Sequence, residues 1–211
     1  MRRTMVARGA AACVLAGTVT VTLAVVVGPT SALTGYVSEA GVGASGYVTA
    51  YRLGVLGVAV ALLLFATALV QVLRPAAGLL AAGAAGTGLS ASVPCSAGCP
   101  LPPFEPTTAA GLVHGSASIA AVACVVFAML MVAWSAEVSP LLRRLGLVGV
   151  ALALPLSATI GVAMLTVGRS TLVGVVERAL LGVIALWLIT STLAASSSSA
   201  APPPPPPPSG R

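Results

Sequence analysis

The chain has 211 residues, 58% of them hydrophobic and 7% charged, with a formal net charge of +6 and a mean hydropathy of +1.08. A soluble domain carries about 25% charged residues, and a disordered chain is poor in apolar ones, so both classes are excluded. What remains is a polytopic membrane protein with no room for a sizeable soluble domain. Lys, Asp and Asn are missing, and Gln71 and His114 are the only residues of their types. A bis-His haem therefore lacks its second ligand, and a zinc site built from several His lacks its imidazoles. No cofactor, no metal site and no nucleic-acid partner are expected. The use of Arg rather than Lys, with abundant Ala, Gly, Val and Pro, fits a GC-rich bacterial genome.

The expected fold class is all-α, a bundle of six transmembrane helices. Crossing about 30 Å of hydrocarbon takes about 20 apolar residues. In chain order, 1–9 is a basic leader carrying Arg2, Arg3 and Arg8. The spans follow at Ala10–Val27, Tyr51–Leu73, Ala76–Ser92, Ala109–Trp134, Leu141–Val167 and Leu172–Ala194. Pro29-Thr30-Ser31-Ala32 resembles a cleavage region, but an apolar run of about 18 residues exceeds a signal core, so the first span reads as an uncleaved anchor. The third span is rich in Gly and Ala. Its Gly78, Ala82, Gly86 and Ser90 suggest close helix contact, and it is expected to be the central, most enclosed helix. Gly86-Thr87-Gly88 has no preceding strand and no following Lys, so it reads as packing and not as a phosphate loop. Pro155 is expected to kink the fifth helix and free a carbonyl that Ser157, Thr159 or a neighbour satisfies. The Ser/Ala/Pro-rich segment 195–211, with seven consecutive prolines, reads as a disordered tail ending in a polyproline II rod.

The positive-inside rule sets the orientation. With both termini cytoplasmic, Arg2, Arg3, Arg8, Arg74, Arg143, Arg144 and Arg211 lie inside, and Arg52, Arg169 and Arg178 lie outside. Glu137 is expected to pair with Arg143 or Arg144 at the inner surface. Tyr36, Tyr47 and Tyr51 fall at the outer boundary, and Trp134 and Trp187 toward the inner one. The localisation that follows is the bacterial plasma membrane.

This topology gathers the chemistry at the outer face. The candidate polar cluster is Glu39, Arg52, His114, Ser118, Glu177 and Arg178. Thr107, Gly111, His114 and Ser118 follow a +4, +3, +4 spacing and share a helix face. That stripe should face the bundle, because unpaired polar groups are costly in hydrocarbon. His114 reads either as a ligand-binding or proton-handling imidazole or as a tie between helix ends. Glu177 and Arg178 are adjacent, so they point apart on a helix. Glu39 is the expected counter-ion of Arg178, and Arg52 that of Glu177. Cys95 and Cys99 flank Ser96-Ala97-Gly98, and in an oxidising compartment they suggest a disulfide clip. A redox pair would favour Cys-x-x-Cys, and zinc would need two further ligands with His114 the only imidazole. Cys13 and Cys124 read as apolar fillers.

The order of these motifs is informative. Tyr36-Val37-Ser38-Glu39-Ala40-Gly41 follows the first span. The loop Val93-Pro94-Cys95-Ser96-Ala97-Gly98-Cys99-Pro100 precedes Gly111-Leu112-Val113-His114-Gly115-Ser116-Ala117-Ser118, and Gly174 and Glu177-Arg178 come later. Together they resemble the bacterial membrane family called domain of unknown function nine-nine-eight, in an actinobacterial form. The resemblance covers most of residues 10–194 and implies a six-span fold and no assigned activity. Three functions are open at this point. The first is a non-catalytic module binding a membrane lipid headgroup, a small anion, or a membrane-protein partner or second copy of itself. The second is a small transporter or proton-coupled carrier, for which the inner halves offer only Gln71, Ser157 and Thr159. The third is a membrane hydrolase using Ser116 or Ser118 with His114, which lacks a Gly-x-Ser-x-Gly elbow.

Overall fold

A computed structural model describes residues 2–28 and 35–198. The cleavage-like segment 29–32 and the polyproline run lie outside them. Among the described residues there are six α-helices: α1 Arg2–Val27, α2 Gly46–Leu69, α3 Arg74–Ser92, α4 Ala109–Trp134, α5 Pro140–Thr166 and α6 Thr171–Ser198. A short 3-10 helix, Val37–Gly41, sits between α1 and α2. Each helix packs on its sequence neighbours, and α6 closes on α1, giving a ring. Five helices are long and apolar enough to cross a membrane; α3, rich in Gly, Ala, Ser and Thr, is not among them.

Local chemistry sets the helix starts. Ser45, Thr108 and Ser139 accept hydrogen bonds from the N–H groups of Val48, Gly111 and Leu142, which relieves unpaired donors of the first turn. Pro75 and Pro140 stand in the first turns of α3 and α5, where the missing N–H costs nothing. α1 runs through the basic leader, and α2 begins at Gly46, five residues before the apolar run expected from sequence. Ser45 as a cap explains the earlier start, because it meets the Val48 N–H in the first turn.

The ring is filled with side chains. Phe65, Leu62, Leu80, Met129, Leu188 and Val14 are almost fully buried. Its outward face is apolar as well, with Leu15, Leu63, Ile119, Phe127, Leu154 and Leu186 exposed. Exposed apolar surface on this scale marks a membrane-facing belt. Close packing depends on small residues: a Cβ on Gly17 would come 2.6 Å from the Gly54 carbonyl oxygen, so α1 and α2 touch at their backbones.

Several expectations are corrected. α3 is a ring member packed on α2 and α4, not a central helix. It buries six of its 19 residues, against ten of 24 for α2. Gly78 and Ala82 face outward, whereas a Cβ on Gly86 would come 2.9 Å from the Ala117 carbonyl oxygen. The contact face is therefore rotated from the expected stripe. Trp187 is no interfacial anchor: it is buried and meets Phe65 edge-on at 5.8 Å. Ser157 and Thr159 donate to the carbonyls of Ala153 and Pro155, not to that of Ala151, which Pro155 deprives of its usual donor. Glu137 forms no ion pair with Arg143 or Arg144. Among the described residues the one ion pair joins Arg169 and Glu39.

The alternating helices place two sets of loops at opposite ends. Arg3 of α1 donates to the Ala68 carbonyl at 2.7 Å, so the start of α1 meets the end of α2. The other end carries residues 35–45, 93–108 and 167–170.

Candidate functional site

The segment 35–41 lies across the loop-rich end, held by side chains from three directions. Gly35 has φ +95°, a left-handed conformation suited to glycine. Its carbonyl accepts from Arg178 Nη1 at 3.0 Å, and the same nitrogen donates to the Gly174 carbonyl at 2.7 Å. Gly174 makes this approach available, since a Cβ there would lie 2.6 Å from the Gly35 oxygen. Next along, the Val37 N–H donates to Glu177 Oε2 at 2.9 Å. The Tyr36 N–H donates to Glu39 Oε1 at 2.9 Å. Arg169 grips Glu39 through both carboxylate oxygens, Nε to Oε1 at 2.8 Å and Nη2 to Oε2 at 2.7 Å. At the far end, Arg52 Nε and Nη2 donate to the Gly41 carbonyl at 3.3 and 3.0 Å.

These contacts correct the expected pairings. Glu39 binds Arg169, not Arg178, and Glu177 binds a backbone N–H, not Arg52. Arg178 and Arg52 serve carbonyls. Adjacent Glu177 and Arg178 do grip different parts of the segment, because successive helical residues point in different directions. Arg169 was missed from sequence; its signal was a loop cation on the same side as an acid without a neighbour. The Arg169–Glu39 bond holds the guanidinium proton more tightly than usual. Burial first, then the nearby Glu177 carboxylate, pushes the Tyr36 phenol up. Arg178 Nε is buried without a hydrogen-bond partner.

A second cluster forms where α3 ends against α4. His114 is 6% exposed. Its Nδ1 lies 2.9 Å from the Ser90 carbonyl oxygen and 2.8 Å from that of Val93. Carbonyls only accept, so Nδ1 carries the proton and donates. Nε2 is left buried with no partner. Ser118 Oγ donates to the His114 carbonyl at 2.9 Å and lies 2.7 Å from Ser90 Oγ. The serine hydroxyls thus serve the helix contact, and the Ser118–His114 arrangement is not that of a nucleophile with its base. Ser116 is exposed and bonds to its own helix at Leu112.

Cys95 and Cys99 form a disulfide, with Cα atoms 5.0 Å apart. Gly98 and Cys99 take positive φ of 78° and 46°, which turns the chain tightly enough to close the loop. Ser38 Oγ donates to Cys99 Sγ at 3.3 Å, linking the 35–41 segment to the disulfide loop. A cavity of ≈ 10 Å³ lies between these parts, lined among others by Ser38, Arg52, Ser90, Cys95 and His114. Six residues expected at one face are thus split between two adjoining clusters: Glu39, Arg52, Glu177 and Arg178 fasten the segment, and His114 and Ser118 join α3 to α4.

A ring of long apolar helices with an apolar exterior and polar groups collected at its ends defines a helical membrane protein. Residues 10–194 match the family described as Protein of unknown function (DUF998), and the chain belongs to that family. No curated protein and no solved structure matches it.

Proposed function

We propose that the protein is a non-catalytic, multi-pass module of the plasma membrane, with both termini cytoplasmic and the fastened end outward, and that it binds an anionic lipid headgroup near Arg52 and Arg178. The orientation is supported by charge. Arg2, Arg3, Arg8, Arg74, Arg143 and Arg144 belong to one end, and Arg52, Arg169 and Arg178 to the other, the asymmetry favoured for a cytoplasmic start.

The observation that carries the binding reading is the inequality among the three outer guanidiniums. Arg169 is in direct contact with a carboxylate; the hydrogen bonds of Arg52 and Arg178 go only to carbonyls. At the level of the lipid headgroups a phosphate supplies the missing negative charge, and Arg suits phosphate through its forked donors. The filled interior of the ring favours a binding surface over a polar path through the bundle.

Native mass spectrometry of the detergent-purified chain tests this with three probes: phosphatidylglycerol, phosphatidylcholine and inorganic phosphate. Phosphatidylglycerol should remain bound and be weakened by Arg178→Ala. Retention of inorganic phosphate alone would assign a soluble anion instead. Equal adducts in the parent and the variant, or none in either, would overturn the reading. A reporter fused after Arg74 should report a cytoplasmic position, and a periplasmic signal would reverse the orientation.

A further inference from the structure

The cysteine loop and His114 have a geometry that the headgroup reading does not use. The sulfurs of Cys95 and Cys99 and a ring nitrogen of His114 lie within 4.8 Å of one another, and all three residues are buried. Each ligand is needed in a particular state, and the surroundings favour it. A metal-binding imidazole usually donates its other N–H to a carbonyl or carboxylate, which fixes ring orientation and tautomer. His114 does this twice, to Ser90 and Val93. The remaining nitrogen, Nε2, keeps its lone pair, is buried and has no partner. An orphaned polar atom on a residue 6% exposed calls for a ligand, since leaving it unmet costs free energy. The adjoining cavity of ≈ 10 Å³ touches Cys95 and His114 and has room for a single ion or water.

We propose that the reduced form of this cluster, Cys95, Cys99 and His114, binds one monovalent copper ion, and that the disulfide is its metal-free state. Two thiolates and an imidazole are soft and borderline donors, the set that selects Cu(I) among available ions. Zinc takes four ligands in closed sites, and among the described residues no fourth Cys, His, Asp or Glu joins the group. Charge points the same way. Two thiolates with Cu(I) leave one net negative charge, and Arg52 is among the residues lining the same cavity. A neighbouring Arg also favours thiolate over thiol.

The steps balance. A dithiol or phosphine reductant supplies two electrons, and two protons are taken up, as the Cys95–Cys99 bond breaks to two thiols and the reductant is oxidised. Cu(I) then displaces both thiol protons, forming two copper–sulfur bonds and one copper–nitrogen bond. The oxidised chain offers no thiolate, so the loop's redox state switches binding on or off.

The full-length protein in detergent is reduced with a phosphine, freed of reductant without air, and titrated with Cu(I) against a chromogenic chelator. Native mass spectrometry should show one copper per reduced chain with loss of two protons, and none on the same chain kept oxidised. That pairing needs no mutation, so misfolding cannot imitate it. Cys95→Ser and Cys99→Ser should each abolish binding. His114→Asn keeps a donor toward the Ser90 and Val93 carbonyls but has no Nε2. It should weaken binding by at least the roughly 10-fold that even loss of an outer-shell partner costs. Copper bound equally by oxidised and reduced chains, unaffected by His114→Asn, or bound no better than zinc would each overturn the assignment. Arg178→Ala should leave copper binding intact, which separates this proposal from the headgroup reading.

Discussion

At the end where the chain begins, Arg74, Arg143 and Arg144 stand exposed, and a cavity of ≈ 270 Å³ opens among Arg3, Glu137, Ser139 and their neighbours. At the opposite end Arg52, Arg169, Arg178, Glu39 and Glu177 are all engaged, and the cavity beside them measures ≈ 10 Å³. The same residue types behave differently because the second end has a loop to hold. The segment 35–41 presents carbonyls and N–H groups that would be costly to bury unmet, and charged side chains meet them. At the first end short turns leave less backbone to satisfy: Arg3 meets the Ala68 carbonyl, and Arg74, Arg143 and Arg144 stay exposed. Charge at one end is mostly left exposed, and charge at the other fastens a loop.

Substitutions that remove a fastening should separate the two ends most sharply. Glu177→Ala leaves the Val37 N–H without its acceptor and should cost about 1–3 kcal/mol. It should appear as a lower melting temperature in detergent and faster amide exchange confined to 35–42. An unchanged melt with unchanged exchange would show that the bond from Val37 to Glu177 does not hold the segment. Glu39→Gln removes the ion pair with Arg169 but leaves an amide oxygen to accept. Arg169 is 40% exposed, so screening limits the loss to about 1 kcal/mol or less. An effect larger than that of Glu177→Ala would invert the order of importance proposed for these contacts.

Sequence carried the helices because their signal is apolar length. Ala109–Trp134 appears with the same bounds in sequence and structure, flanked by Thr108 and an apolar run on a single period. The start of α2 was hidden by the mixed run Gly46-Tyr47-Val48-Thr49-Ala50, which reads as loop until Ser45 is seen as a cap. The polar residues at the loop-rich end were also legible as a group, since topology alone brings them there. Their partners were not. Arg178, Arg52 and Glu177 bind backbone atoms of Gly35, Gly41 and Val37, and backbone groups have no sequence identity to pair against. The meeting of His114 with the cysteine loop was out of reach for a similar reason, because it depends on how residues 93–99 fold back over the end of α3.

Hydrogen–deuterium exchange of the unmodified protein in detergent compares the ends most directly. The amides of Tyr36, Val37, Glu39 and Val42 all donate to acceptors within the fastened segment or to Glu177. At the other end, the Glu137 amide donates only to the exposed-side hydroxyl of Ser135. Strong protection across 36–42 with rapid exchange at 135–138 is the expected result. Equal, rapid exchange in both segments would contradict the account, because the 35–41 segment would then not be held by the charges assigned to it.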